Sequence, residues 1–231
     1  MYHLKINQLK TTGSQFSCTG SCHNCPFNKN NKNYKKSSVT IDPIQEIIIS
    51  KTKTTVVGSN ALFLNTQKIN TVNIIKLAEQ LKQTHQLAHL ILSHNKITKR
   101  SATALKLLLQ VNHQIKFLVL KNTQLADAGL IELAQGLQSN RGIQHLILDD
   151  NKITSRSMQL LSEVLQKHPK IQSITLRNNT ITDSGAWKLG QLIRTVTTLI
   201  KLDLRNNKIS NKVKQELSKQ SQQKPAFKLY I

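Results

Sequence analysis

The sequence predicts an α/β solenoid, a horseshoe with parallel strands on its concave face and helices on its convex face. Three observations predict it. Five segments between Leu87 and Ile209 line up at a spacing of 28 residues. Four of the five carry an Asn just past the last apolar strand position, and the fifth carries Thr123 there. Between consecutive segments the apolar residues fall at helical spacing.

The five segments run Leu87-x-x-Leu90-x-Leu92-x-x-Asn95-x-Ile97, Ile115-x-x-Leu118-x-Leu120-x-x-Thr123-x-Leu125, Ile143-x-x-Leu146-x-Leu148-x-x-Asn151-x-Ile153, Ile171-x-x-Ile174-x-Leu176-x-x-Asn179-x-Ile181 and Leu199-x-x-Leu202-x-Leu204-x-x-Asn207-x-Ile209. The alternation within each makes a short strand whose apolar positions point inward and whose intervening residues face out. One unit cannot bury its own apolar side, so neighbours must stack. The Asn amide can donate to and accept from loop backbone that would otherwise be buried and unpaired. Thr123 therefore predicts a locally weaker ladder. Helices are expected around Leu130, Leu133, Ala134 and Leu137, around Leu160, Leu161, Val164 and Leu165, and around Leu189, Leu192 and Ile193. Gly129 and Gly185, 56 residues apart, are expected to ease entry into two of them.

This pattern is the leucine-rich-repeat signature. A repeat of this length with a full helix resembles the ribonuclease-inhibitor-like class of leucine-rich repeats. The resemblance covers residues 59–231 and implies a binding scaffold, while leaving the partner open.

Toward the N-terminus the same frame gives a degenerate repeat at Ser59, Leu62, Leu64, Gln67 and Ile69, with a helix around Ile74, Ile75, Leu77, Ala78 and Leu81. Residues 41–58, opened by the turn-forming pair Asp42-Pro43, should cap the N-terminal end of the solenoid. Toward the C-terminus the frame gives Phe227 and Tyr230 as core positions of a last strand, Phe227 to Ile231, whose outer edge would be unpaired.

Residues 1–40 form a basic, low-complexity tail without Asp or Glu. It contains Cys18, Cys22, His23 and Cys25. Three thiolates in eight residues suit a soft metal, either a structural zinc or an iron–sulfur cluster, with His23 among the candidates for a fourth ligand. The spacing also matches the cluster motif of radical S-adenosylmethionine enzymes, but that chemistry needs an α/β barrel rather than a solenoid. Free thiols are the plain alternative, and no other cofactor is expected.

Thirty-three Lys and Arg stand against 11 Asp and Glu, a formal net charge of +22. That excess implies a polyanionic neighbour: RNA, DNA, a membrane surface or an acidic protein. No apolar run is long enough to span a membrane, and the first residues are not a secretory signal. Three cysteines in one short segment are no disulfide framework, which favours a reducing interior.

Two surfaces emerge. On the strand face, Phe63, Ile91, Phe117, Val119 and Ile147 make an apolar stripe suited to a protein partner, and the C-terminal third carries Arg177, Lys201 and Arg205. Along the loop edge, Lys68, Lys96, Arg100, Lys152, Arg156, Lys208 and Lys212 recur with the repeat as a basic ridge suited to phosphates. Lys29, Lys32, Lys35 and Lys36 of the tail extend the same chemistry. No nucleophilic triad, glycine-rich phosphate loop or spaced ligand set lies in the repeats. His89 and His145 share a column two repeats apart, too far for joint work, and Asp149 and Asp150 would point to opposite sides of a strand.

The expectation is a non-enzymatic scaffold subunit of a large RNA-containing assembly, such as a mitochondrial ribosome, with protein subunits and RNA as partners and no small-molecule substrate. The alternative is a protein-only scaffold of a cytoskeletal, axonemal or respiratory-chain complex. A third reading is a regulator resembling the Ran GTPase activator, against which the basic tail speaks. The compartment expected is intracellular, mitochondrial first, with the cytoplasm or cytoskeleton as alternative.

Overall fold

A computed structural model describes residues 55–56, 60–65 and 69–231. The cysteine cluster, the tail lysines, most of the capping segment and Lys68 lie outside the described residues. What is described is an α/β solenoid. Eight strands form one sheet in sequence order: β1 (Thr55–Val56), β2 (Ala61–Phe63), β3 (His89–Ile91), β4 (Phe117–Val119), β5 (His145–Ile147), β6 (Ser173–Thr175), β7 (Lys201–Asp203) and β8 (Lys228–Tyr230). β2 to β8 run parallel, and β1 closes the N-terminal edge antiparallel to β2. Six helices alternate with them: α1 (Thr71–Leu81), α2 (Lys99–Val111), α3 (Ala126–Leu137), α4 (Met158–Gln166, entered through a 3-10 turn at Ser155–Ser157), α5 (Asp183–Thr195) and α6 (Asn211–Gln222).

From β2 to β7 each strand pairs with the next in the 28-residue register, so that Leu62, Leu90, Leu118, Leu146, Ile174 and Leu202 form one buried column. Every apolar position of the five aligned segments is buried. Burying one Leu or Ile contributes about 2 kcal/mol, and each unit supplies its own set to a core shared only with its neighbours.

The asparagine column works as its chemistry suggests. Asn151 Nδ2 donates to Leu120 O and Asp149 O, while its Oδ1 accepts from Thr123 N and Leu125 N. Asn95, Asn179 and Asn207 repeat this reach to the preceding unit. Where Thr123 stands, its backbone carbonyl accepts from Ile97 N at 2.8 Å, in place of a side-chain oxygen. One residue earlier, His94, Asn122, Asp150, Asn178 and Asn206 all adopt φ between 52° and 62°. Asn and Asp, and to a degree His, tolerate that left-handed backbone better than other residues.

Four expectations are corrected. Gly129 and Gly185 lie inside α3 and α5 with ordinary helical backbone. A Cβ there would stand 2.5 Å from Leu125 Cδ1 and 2.6 Å from Ser155 Oγ, so close packing and not chain entry demands glycine. The last strand slips by one residue: β7 pairs with β8 at a spacing of 27, as Leu202↔Leu229 and Asp203↔Tyr230. A one-residue shift exchanges the two faces of a strand, so Leu229 packs on the core and Tyr230 turns to the open face. Asp149 and Asp150 lie beyond β5, and Asp150 takes a left-handed turn instead of alternating on a strand. Finally, Ile91 is only 8% exposed, which removes it from the accessible part of the apolar stripe. Side chains of one column stand a strand spacing apart, about 4.8 Å, and cover one another.

Candidate functional site

The open face of the sheet carries two columns of side chains flanking the buried leucines. In the first, His89, Phe117 and His145 are register partners on β3, β4 and β5. Their rings stack face to face, with centroids 4.3 Å and 4.0 Å apart and planes within 5° and 13° of parallel. The two histidines are indeed two repeats apart, but Phe117 fills the gap and joins them into one three-ring platform. Burial, and then Lys116, holds the His89 imidazole below its ordinary range. Burial, then His89 and Lys201, does the same for His145. Both shifts disfavour the charged imidazolium, which suits an apolar platform.

The second column runs Phe63, Ile91, Val119, Ile147, then Thr175, Asp203 and Tyr230. Phe63, Val119 and Ile147 are half-buried beside Ile91. Four adjacent strands, β2 to β5, thus present aliphatic and aromatic side chains with no Lys or Arg in either column.

The character changes at β6. Arg205 grips the buried carboxylate of Asp203 with two bonds, Nε to Oδ1 at 2.9 Å and Nη2 to Oδ2 at 2.5 Å. Its guanidinium also lies 4.9 Å from the centre of the Tyr230 ring, and Lys201 Nζ lies 5.4 Å from it. Lys228 is exposed and in register with Lys201. Asp149, just beyond β5, accepts from Arg177 N at 2.9 Å, and burial pushes its carboxyl above the usual range. Among the described residues Lys201 and Lys228 form no ion pair, so this end of the face is net cationic.

The loop edge differs from a continuous ridge. Lys96, Arg100, Lys152, Arg156, Lys208 and Lys212 are all exposed and form no ion pair among the described residues. In the intervening units, however, the same positions are Gln124, Ala128, Thr180 and Ser184. The cations are three pairs on alternate units. The alternation extends to the helix starts. Thr98, Thr154 and Ser210 cap with their side chains in the basic units. Asp127 and Asp183 occupy the first turns of α3 and α5 in the others. Each Asp reaches into the next unit: Asp127 accepts from Thr154 Oγ1 at 2.6 Å and Ser157 Oγ at 2.5 Å, and Asp183 from Ser210 N at 2.7 Å. The contrast between Thr-Lys-Arg-Ser and Ala-Asp-Ala-Gly at one register is visible in the sequence and could have disclosed the 56-residue period.

A second polar column lies at the opposite turn. Asn112 donates to Leu81 O and Thr84 O and accepts from Gln114 N and Ile115 N. Asn140 repeats the set one unit on. His168 holds the next position and Lys224 the one two units later, where its Nζ donates to Val196 O at 2.6 Å. Among the described residues no group of three or more His, Cys, Asp or Glu is placed to hold a metal, and no helix is long and apolar enough to cross a membrane.

The sequence matches no protein-family model and no curated protein. In fold it is similar to the solved structure titled Leiomodin-1 Actin-Binding Site 2, with a TM-score of 0.54 and 20% identity over 68% of this chain and 92% of that one. At that identity the likeness concerns the fold, which is leucine-rich-repeat-like.

Proposed function

We propose that this chain is a non-enzymatic interaction scaffold, a horseshoe of the ribonuclease-inhibitor-like class that holds a partner protein on its concave strand face. The observation that carries the reading is the continuous apolar platform across β2 to β5, formed by the His89–Phe117–His145 stack beside Phe63, Val119 and Ile147. A partly exposed apolar patch of this kind marks a contact surface, and large aromatics at its centre are the side chains that dominate binding energy. A fold neighbour titled as an actin-binding site supports a protein partner and brings cytoskeletal complexes into range.

A second reading rests on the net charge of +22 and the three exposed cation pairs on alternate units: a subunit of an RNA-containing assembly, such as a mitochondrial ribosome, with the loop edge against phosphates. Purification of the tagged full chain from its native cells, with and without ribonuclease, separates the two. A protein set that survives ribonuclease and is lost with Phe117→Asp supports the first reading. A particle that dissolves with ribonuclease and is indifferent to Phe117→Asp supports the second.

A further inference from the structure

The open sheet face has two chemically distinct ends, and we infer that it takes an extended segment of a partner protein whose one half is aliphatic or aromatic and whose other half is acidic. This deepens the scaffold reading and rests on it. The apolar end spans β2 to β5, where neither column carries a cation. The other end spans β6 to β8. There Asp203 is already neutralised by its two-bond grip on Arg205, which leaves Lys201 at the ring of Tyr230, and its register partner Lys228, without an ion pair among the described residues. An acidic side chain arriving over Tyr230 meets the unpaired Lys201 ammonium and the Arg205 guanidinium at the ring, with exposed Lys228 on the adjacent strand position. The one-residue slip of β8 builds this end, because it turns Tyr230 outward and aligns Lys228 with Lys201.

Charge complementarity decides among occupants. The chain's own residues 1–54 hold two acids, Asp42 and Glu46, against eight Lys and cannot supply the acidic half. A second copy, with 33 basic against 11 acidic residues, is repelled at long range. A nucleic acid would find counter-charge on β6 to β8, but the two columns of β2 to β5 offer it only neutral side chains, with Lys116 and Lys121 at their rim. The distance across the sheet from β2 to β8 is about 29 Å at ordinary strand spacing, the reach of about nine extended residues. A short linear segment can therefore satisfy both ends at once.

The test uses the full chain and fluorescein-labelled peptides of about twelve residues, read by anisotropy at low and raised salt. The first probe has alternating Leu, Ile and Phe in one half and Glu and Asp in the other. In the second probe Lys replaces the acids, in the third Ser replaces the apolar residues, and the fourth is a single-stranded RNA of similar length. The expected result is that the first probe binds roughly tenfold or more tighter than the second and third. Lys201→Glu combined with Lys228→Glu should then reverse the preference toward the second probe, a gain that an unfolded protein cannot show. Equal binding of the first and third probes, or displacement of the first by the RNA probe, overturns the two-ended site. If no peptide binds while Phe117→Asp still strips the ribonuclease-resistant protein set, the two-ended site is wrong and the scaffold reading stands. If Phe117→Asp strips nothing, the scaffold reading fails with it.

Discussion

His168 stands where its structural equivalents are Asn112 and Asn140, and it cannot do what they do. Each asparagine donates twice to carbonyls of the preceding unit and accepts twice from its own loop. The imidazole Nδ1 accepts only a long bond from Lys170 N, 3.4 Å, and the buried Nε2 has no hydrogen-bond partner among the described residues. Burial, and then Arg141, pulls its pKa from 6.5 down to about 4. The sign follows. Between those values the unfolded chain takes up a proton and the folded one does not, so this group's stabilisation is complete above pH 6.5 and is lost as pH falls toward 4. The loss is on the order of 2–3 kcal/mol. His168→Asn should complete the column by donating to Leu137 O and Asn140 O. We expect the variant to gain about 1 kcal/mol at neutral pH and to lose the His168 share of the acid sensitivity, leaving that of His89 and His145. Urea midpoints at pH 7 and pH 5 check both; a variant no more stable and equally acid-sensitive would show that the column does not extend to this unit.

At the scale of the element, the strand–turn unit is held by one asparagine, and its worth depends on where in the stack it sits. Asn151 is completely buried, and its Oδ1 accepts from Thr123 N, Thr123 Oγ1 and Leu125 N. Asn207 is half-exposed near the C-terminal end, and its Oδ1 accepts from Ile181 N. Asn151→Ala leaves two buried backbone N–H groups without that oxygen, while the Thr123 hydroxyl keeps Leu120 O at 3.1 Å, and should cost about 2 kcal/mol, against about 1 kcal/mol for Asn207→Ala. Chemical denaturation of the two variants measures the difference, and equal losses would mean that position in the stack does not matter. These elements were legible because the register of the asparagines and leucines is a periodic feature of sequence, and β2 to β7 fall on the frame it sets. The slip at β8 was not legible, since one residue missing from the last connection breaks no local pattern. It shows only once Leu229 has to pack on the core. The second asparagine column was in plain view at Asn112 and Asn140. It lies outside the strand motif, and its third member is a histidine. The ring platform at Phe117 was readable as a column, but stacking needs the strand spacing to bring three flat rings face to face.

For the whole molecule, the question is which of its two surfaces answers to the net charge of +22. The two columns of the sheet face carry uncharged rings and aliphatic side chains on β2 to β5 and are cationic only beyond β6. The loop edge carries Lys96, Arg100, Lys152, Arg156, Lys208 and Lys212 in three exposed pairs on alternate units, so a phosphate backbone crossing it meets positive charge at intervals of two repeats. At about 4.8 Å per strand that interval is at least about 10 Å, comparable to a Debye length at moderate salt. Each pair then acts largely on its own, and the contributions add. Replacing all six by Gln should leave the fold intact, because none of them bonds to another side chain among the described residues. It should also leave untouched any ribonuclease-resistant protein set that Phe117→Asp removes. If the loop edge reads phosphate, retention on a single-stranded RNA column falls, and the slope of log affinity against log salt shrinks by about 0.7 for each contact removed. If the slope is unchanged, these cations face solvent and the loop edge reads no phosphate. Because that variant spares both columns of the sheet, its result and that of Phe117→Asp can be read separately.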